Sequence, residues 1–470
     1  MIYKKVTSEV INELIKILGS KNVIYNNIEA MEQYSHDEVA EKSYAHMPEV
    51  VVKPLTAEEI SKIMKLANKY KIPVTPRGAG SGLSGGAIPV NGGIVLSLEK
   101  MNKILEIDKK NLIVVVEPGV VTNDINNLVK DDGLFYAGYP MSVEICYIGG
   151  NVAENAGGGR AVKYGVTGRY ICGLEVVMPT GEIVHLGGKR MKDVTGYDLI
   201  HLMVGSEGTL GIFTKIYIKL VPLPQANVSL LVLFKDIESA IKLVPKIMAF
   251  GRIIPTSIEF MDELSFKASC EYLNEKIPFE KAGAMLLIEL DGNSKRELEG
   301  QYEIIGNLCT ENGAIEVYVA DNATTSERIW KIRRNIAEAW KLISPHQSLE
   351  DVVVPISEIP KFMTKIKELS EKYDVPIPCY GHAGDGNLHP TPIKNPKFQM
   401  DEWYEKLDTL LLELYKAAIE LGGTISGEHG IGSKRNKYIS MALEPAQIEM
   451  MKNIKKALDP NLILNPGKIF

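Results

Sequence analysis

The sequence predicts an α+β protein of more than one domain, and three observations carry that expectation. Its 470 residues exceed what a single hydrophobic core usually organises. Strand-like and helix-like patterns interleave along the whole chain. Two prolines in Val221-Pro-Leu-Pro-Gln225 close a strand where a run of glycine-rich segments stops, which marks a boundary. The expected division is residues 1–222, residues 223–420 and a C-terminal tail of residues 421–470.

In chain order, the segment up to Gly19 reads as an amphipathic helix with Val10, Leu14, Ile17 and Leu18 on one side. Residues 49–53 form a buried-strand pattern, and Thr56-x-x-Glu59 is a capping box that opens a helix. A second strand over 72–75 leads into the glycine-rich segment 77–86. Strands are expected at 94–98 and 112–117, with a helix after Val121. Glycine and asparagine dominate 145–168; a stretch so poor in bulky side chains yet bounded by good strands suits wrapping around a ligand. Strands resume over 173–186, with a turn at Pro179-Thr-Gly-Glu182, and the alternation over 212–220 suits a half-buried strand. Beyond the proline break, strands at 229–234, 284–290 and 315–319 alternate with helices that start at Ile237 and Arg296 and one that runs through Trp340.

Composition excludes several classes. With 45% hydrophobic and 24% charged residues the chain is an ordinary globular one. A net charge of −6 and scattered lysines give nucleic acid no footprint. The five cysteines are odd in number and far apart, so neither a disulfide framework, a zinc ribbon nor a C-x-x-C iron–sulfur motif is expected. No apolar run reaches the ~18–20 residues of a membrane span, and the N-terminus lacks the apolar core of a signal peptide. The expected location is the cytoplasm.

Gly80-Ser-Gly-Leu-Ser-Gly85 matches G-x-G-x-x-G, but Gly86-Ala-Ile-Pro89 and Gly92-Gly93 cannot continue the helix that a Rossmann site requires. The loop still offers closely spaced N–H groups, the Ser81 hydroxyl and Arg77, one of only ten arginines beside 43 lysines. That combination suits a diphosphate.

Four motifs together resemble the FAD-binding domain of the vanillyl-alcohol oxidase superfamily: Pro76-Arg-Gly-Ala-Gly-Ser-Gly82, Val116-Glu-Pro-Gly-Val120, Gly149-Gly-Asn-Val-Ala-Glu-Asn-Ala-Gly-Gly158 and Gly205-Ser-Glu-Gly-Thr-Leu-Gly211. Gly381-His-Ala-Gly-Asp-Gly-Asn-Leu-His389 and Gly427-Glu-His-Gly-Ile-Gly432 resemble the FAD-linked 2-hydroxy-acid dehydrogenases within it. The resemblance implies a two-part FAD domain, a substrate or cap domain, and a tail that returns to the cofactor. It implies non-covalent FAD, because the first glycine loop has no histidine. Carried over residue by residue, Pro76, Arg77, Gly78, Ala79, Gly80, Ser81 and Gly82 hold the pyrophosphate. Pro140, Met141, Gly150, Asn151, Ala153 and Gly157 line the isoalloxazine and ribityl region, Glu207, Gly208 and Ile212 the adenine side, and Asn465 returns to the flavin.

If residues 377–382 and 387–393 pair through the turn Ala383-Gly-Asp-Gly386, then His382 opposes Asn387, and His382, Asn387 and His389 share a face. The two histidines are then near enough to share one ion. Glu428 completes a two-His, one-carboxylate set for zinc, iron or manganese. The resemblance further implies that His429 is the base and that Arg333, with Arg334 as its rival, clamps the substrate carboxylate. Relatives that act on 2-hydroxyglutarate carry a lysine where this chain has Gln347-Ser-Leu-Glu350; Glu350 facing the substrate would disfavour a dicarboxylate. The expected reaction is oxidation of a short D-2-hydroxy monocarboxylate such as D-lactate. Glycolate oxidase catalytic subunit and D-2-hydroxyglutarate dehydrogenase are the alternatives within the family. An electron-transfer flavoprotein subunit with a structural metal is the non-enzyme alternative. With no iron–sulfur or haem motif, the electrons require a partner, for which the resemblance suggests an electron-transfer flavoprotein and electron bifurcation.

Overall fold

The computed structural model describes residues 3–39, 44–277 and 281–470. It contains two compact units: residues 1–157, 166–223 and 428–470 form one, and residues 158–165 with 224–427 form the other. Residues 158–165, expected with the first domain, belong to the second. Arg160 pairs with Glu289, and Lys163 and the Tyr164 hydroxyl bond to Asp291, which ties the segment to the strand Ala284–Gly292.

The first unit holds a four-stranded sheet in the order Val23–Ile24, Val50–Val52, Ile94–Ser97, Val74–Arg77. Its last three strands are parallel. The capped helix Ala57–Tyr70 supplies their crossover: Thr56 Oγ1 accepts from Glu59 N–H, while the Glu59 carboxylate turns back to Leu55 N–H. Ile60, Ile63, Met64 and Ala67 recur at helical spacing and pack on Val50, Val52 and Ile94 in one buried cluster, which the face Val10, Leu14 and Leu18 of the helix Ser8–Leu18 joins. A second, antiparallel sheet of five strands runs Ile104–Asp108, Ile113–Val116, Ile212–Lys219, Ile171–Val177, Ile183–Gly187. The tail rejoins this unit, where Leu464 bridges Val74 in parallel.

One element of this unit differs from expectation. Ile148–Glu154 is a helix inside the glycine-rich stretch. Propensity argues against it, but a Cβ at Gly149 would lie 2.6 Å from Pro118 Cβ and 2.9 Å from its carbonyl oxygen. The helix starts hard against that backbone, which only glycine permits.

The second unit is built on a seven-stranded antiparallel sheet, in the order Ala314–Ala320, Ala226–Phe234, Ala284–Gly292, Ser257–Asp262, Cys379–His382, Asn387–Pro390, Val352–Val353. The strand Ser257–Asp262 and the helix Glu263–Leu273 were not anticipated. The expected helix through Trp340 is two, Ala323–Arg334 and Ile336–Ile343, separated at Asn335. Ile329, Ile332, Ile336 and Trp340 of this pair join Leu231, Met285 and Tyr380 in the core. No helix among the described residues is long and apolar enough to cross a membrane.

Candidate active site

In the first unit, two clefts share Gly78, Gly86, Ala87, Gly150 and Glu154 as walls. One is lined by Pro76, Arg77, Ala153, Glu207, Gly208, Ile212 and Asn465. The other is lined by Ala79, Gly80, Ser81, Gly82, Pro140, Met141, Asn151 and Gly157, with Glu428 and His429. The structure thus brings together all seventeen residues that the resemblance points to for the cofactor. The fit for a large ligand rests on the walls themselves. A Cβ at Gly150 would meet nothing within 4 Å, so the helix Ile148–Glu154 presents bare backbone to open space. Asp37 Oδ2, Ser84 Oγ, Glu154 Oε2 and Asn465 Oδ1 are buried on these walls without hydrogen-bond partners among the described residues.

Two side chains do something other than expected. The Arg77 guanidinium is turned into the protein, where it donates to the carbonyls of His36 (2.6 Å) and Gln33 (2.9 Å). It packs under the loop: Gly80 has φ +77°, and a Cβ there would lie 2.0 Å from Arg77 Nη2. The arginine shapes the loop, so the groups the loop offers an anion are its N–H donors and the Ser81 hydroxyl. The Glu207 carboxylate, expected at the adenine, accepts from the backbone of Ile431 (2.8 Å) and Gly432 (2.6 Å) and so anchors the segment that follows His429. Asn465 donates to the carbonyls of Gly86 and Glu207. Burial raises the Asp37 carboxyl to about 6. Burial, reinforced by Glu207, holds the Glu154 carboxyl well above the ordinary range.

Lys455 was missed by the sequence reading. It is 7% exposed, and its ammonium donates to Thr209 O (2.6 Å), Asp459 Oδ2 (2.6 Å) and Leu464 O (2.7 Å). All three of its protons are used, clipping the tail to the 205–211 loop.

In the second unit, Cys379–His382 and Asn387–Pro390 pair in the expected register, with His382 opposite Asn387 and Tyr380 opposite His389. The two imidazoles are buried, 5.3 Å apart between ring centroids and nearly perpendicular. His382 Nδ1 lies 2.7 and 2.9 Å from the two Glu259 oxygens. His389 Nδ1 lies 3.3 Å from the Glu350 carbonyl. Carboxylates and carbonyls only accept, so both rings carry a proton on Nδ1, which leaves Nε2 as the atom that a neutral ring turns to a metal. That is the state in which histidines bind metals, with a carboxylate or carbonyl behind the ring, so the pair fits a metal. Asn387 donates to Asp351 Oδ1 (2.8 Å) and the Val352 carbonyl (3.1 Å). Asp351 also accepts from Ser426 Oγ (2.6 Å) and Gly427 N–H (2.9 Å), the residues that lead into Glu428.

Arg333 and Arg334 separate cleanly. Arg333 is 5% exposed, bonds Glu259 at 2.7 Å and lies over the Tyr380 ring, while Arg334 is exposed and pairs with Glu327. Arg333 Nε is buried with no hydrogen-bond partner among the described residues. The expectation for Glu350 is corrected: it is fully buried and accepts from Ser348 Oγ (2.5 Å) and the Tyr415 hydroxyl, so it supports the fold and does not face a substrate. Glu259 went unnoticed because the strand that carries it is buried at all six positions, which removes the alternation by which a strand is read.

Comparison with known proteins agrees with this geometry. Residues 48–187 match the FAD binding domain family, and residues 223–469 match the family of FAD linked oxidases, C-terminal domain. The chain is 42% identical to glycolate oxidase subunit GlcD of Bacillus subtilis over 99% of its own length and 97% of that protein. It is 41% identical to D-lactate dehydrogenase of Anaerostipes hadrus, over 99% and 98%. Among solved structures it superposes on p-cresol methylhydroxylase with a TM-score of 0.80 at 20% identity, covering all of this chain and 98% of that one. The fold is that of the vanillyl-alcohol oxidase superfamily. Within it the chain belongs to the FAD-linked oxidases, as an FAD-linked oxidoreductase of the D-lactate dehydrogenase and GlcD type.

Proposed function

We propose that the protein oxidises a short D-2-hydroxy monocarboxylate, D-lactate to pyruvate, with non-covalent FAD as acceptor and a divalent metal, zinc, iron or manganese, held by His382, His389 and Glu428. The observation that carries this reading is the histidine hairpin, whose two buried rings stand 5.3 Å apart with Nδ1 of each turned to an acceptor behind it. When bound, the metal acidifies the α-hydroxyl and the flavin takes the α-hydrogen with its electron pair.

The chain's own residues supply the rest. Arg333, with a buried Nε lacking a partner among the described residues, binds the substrate carboxylate. His429, on the wall of the second cleft, takes the hydroxyl proton on its ring. Asn387, its amide donors held by Asp351 and Val352, orients the substrate with its remaining oxygen. Residues 347–354 contain no lysine or arginine to meet a second carboxylate, and this favours a monocarboxylate now that Glu350 is accounted for internally. The two electrons removed from the substrate would leave to a partner protein, an electron-transfer flavoprotein, with bifurcation as the physiological setting. Glycolate is the second reading, because the similar chains carry both names.

Anaerobic mixing of FAD-loaded, metal-loaded protein with D-lactate should bleach the flavin, and His429→Ala should retain FAD without bleaching. Glycolate bleaching faster than D-lactate favours the second reading. No bleaching with any 2-hydroxy acid refutes the enzyme and leaves the electron-transfer subunit.

A further inference from the structure

Glu259 is fully buried, and its carboxylate meets both His382 and Arg333. It lies directly across the strand pair from His382, and its carboxylate meets His382 Nδ1 at 2.7 and 2.9 Å. Its Oε2 also takes Arg333 Nη2 at 2.7 Å. The arginine is steadied on its other side by the Tyr380 ring, 4.8 Å away. Glycine at residue 159 lets the chain pass close over this carboxylate: a Cβ there would lie 2.3 Å from Glu259 Oε1 and 3.4 Å from His382 Nδ1, so a side chain would push the acid. The last glycine of Gly157-Gly-Gly159 is therefore a lid on the acid.

We infer that Glu259 is a positioning residue shared by the two binding functions of the site: it fixes His382 in its Nδ1–H tautomer and holds Arg333 in place. This rests on the reading of His382 as a metal ligand and Arg333 as the carboxylate clamp. A buried carboxylate between an imidazole and a guanidinium can do this with no contact to substrate, because the acceptor fixes the imidazole tautomer and one donor fixes the plane of the guanidinium. Coupling both to one anion makes ligand geometry and substrate grip depend on a single side chain outside the reacting set.

The test uses full-length, FAD-loaded protein. Glu259→Gln keeps shape and removes charge. It should weaken zinc or manganese binding, measured by chelator competition, by about 10- to 100-fold, and raise KM for the hydroxy acid, with FAD content unchanged. Nitrogen-15 histidine NMR of the metal-free wild type should show His382 protonated at Nδ1, a state that Glu259→Leu, which offers no acceptor, loses. Retention of metal affinity within twofold together with an unchanged His382 tautomer would overturn the inference. If Glu259→Gln does not fold, the wild-type spectrum decides, and Gly159→Ala, which pushes on the carboxylate without removing it, should lower metal affinity in the same direction. Should wild-type protein bind none of zinc, manganese or iron, the metal reading fails. The tautomer and the Arg333 pairing then still decide whether Glu259 is the lock.

Discussion

Replacing Lys455 by Met should loosen the C-terminal tail and weaken FAD binding together. The ammonium is buried, with all three protons donated within 2.7 Å to Thr209, Asp459 and Leu464. Methionine fills much the same volume but leaves the Asp459 carboxylate without its cation and two carbonyls without a donor. Among the described residues, Asp459 keeps its bonds from Ile463 and Leu464 N–H. Removing one partner of a buried pair typically destabilises by about 3–5 kcal/mol. The segment released carries Asn465, which lines the first cleft and donates to Gly86 and Glu207. If about 3 kcal/mol of that loss falls on docking of the tail, FAD affinity falls by roughly a hundredfold, which is the ceiling. Flavin fluorescence titration of apo-protein measures the affinity, and limited proteolysis reports whether residues 455–470 become accessible. An FAD affinity within twofold of wild type, with the tail still protected, would refute the clip.

Gly150→Val places a side chain in the open space of the cleft, so the apo-protein should keep its unfolding midpoint while purified protein loses its flavin colour; full FAD content would show that the cleft is not the cofactor's. Gly80→Ala forces a Cβ onto the Arg77 guanidinium at φ +77°, with an expected destabilisation of about 1–3 kcal/mol in urea unfolding; a change below about 0.5 kcal/mol would contradict the packing of Arg77 under the loop. Asp37 is protonated in the folded protein up to about pH 6 but ionises near its ordinary 3.8 once unfolded. Its contribution to stability is therefore present at low pH and is lost as pH rises between those values. Asp37→Asn should be more stable than wild type above pH 7 by at most about 3 kcal/mol, the gain shrinking to nothing below pH 4; a gain independent of pH would refute the assignment.

The sequence by itself determined what depends on neighbours along the chain. The capped helix after Thr56 and the half-buried strand Ile212–Lys219 follow from local periodicity and turn chemistry. So does the register of the hairpin that pairs His382 with Asn387, because a four-residue turn admits one alignment of the strands it joins. The glycine-rich motifs likewise mark the walls of both clefts. Tertiary structure alone decided between Arg333 and Arg334, since adjacent positions on a helix differ by about 100° and only the packing partner says which faces inward. It also turned Arg77 under its loop, enclosed Glu350 with Ser348 and Tyr415, and made a helix of Ile148–Glu154 by pressing Gly149 against Pro118. Glu259 and Lys455 lay beyond sequence reading for one physical reason. Each is a buried charge whose partners are brought beside it by long-range packing, 123 residues away for His382 and 246 for Thr209, and no local pattern records where such partners will come from.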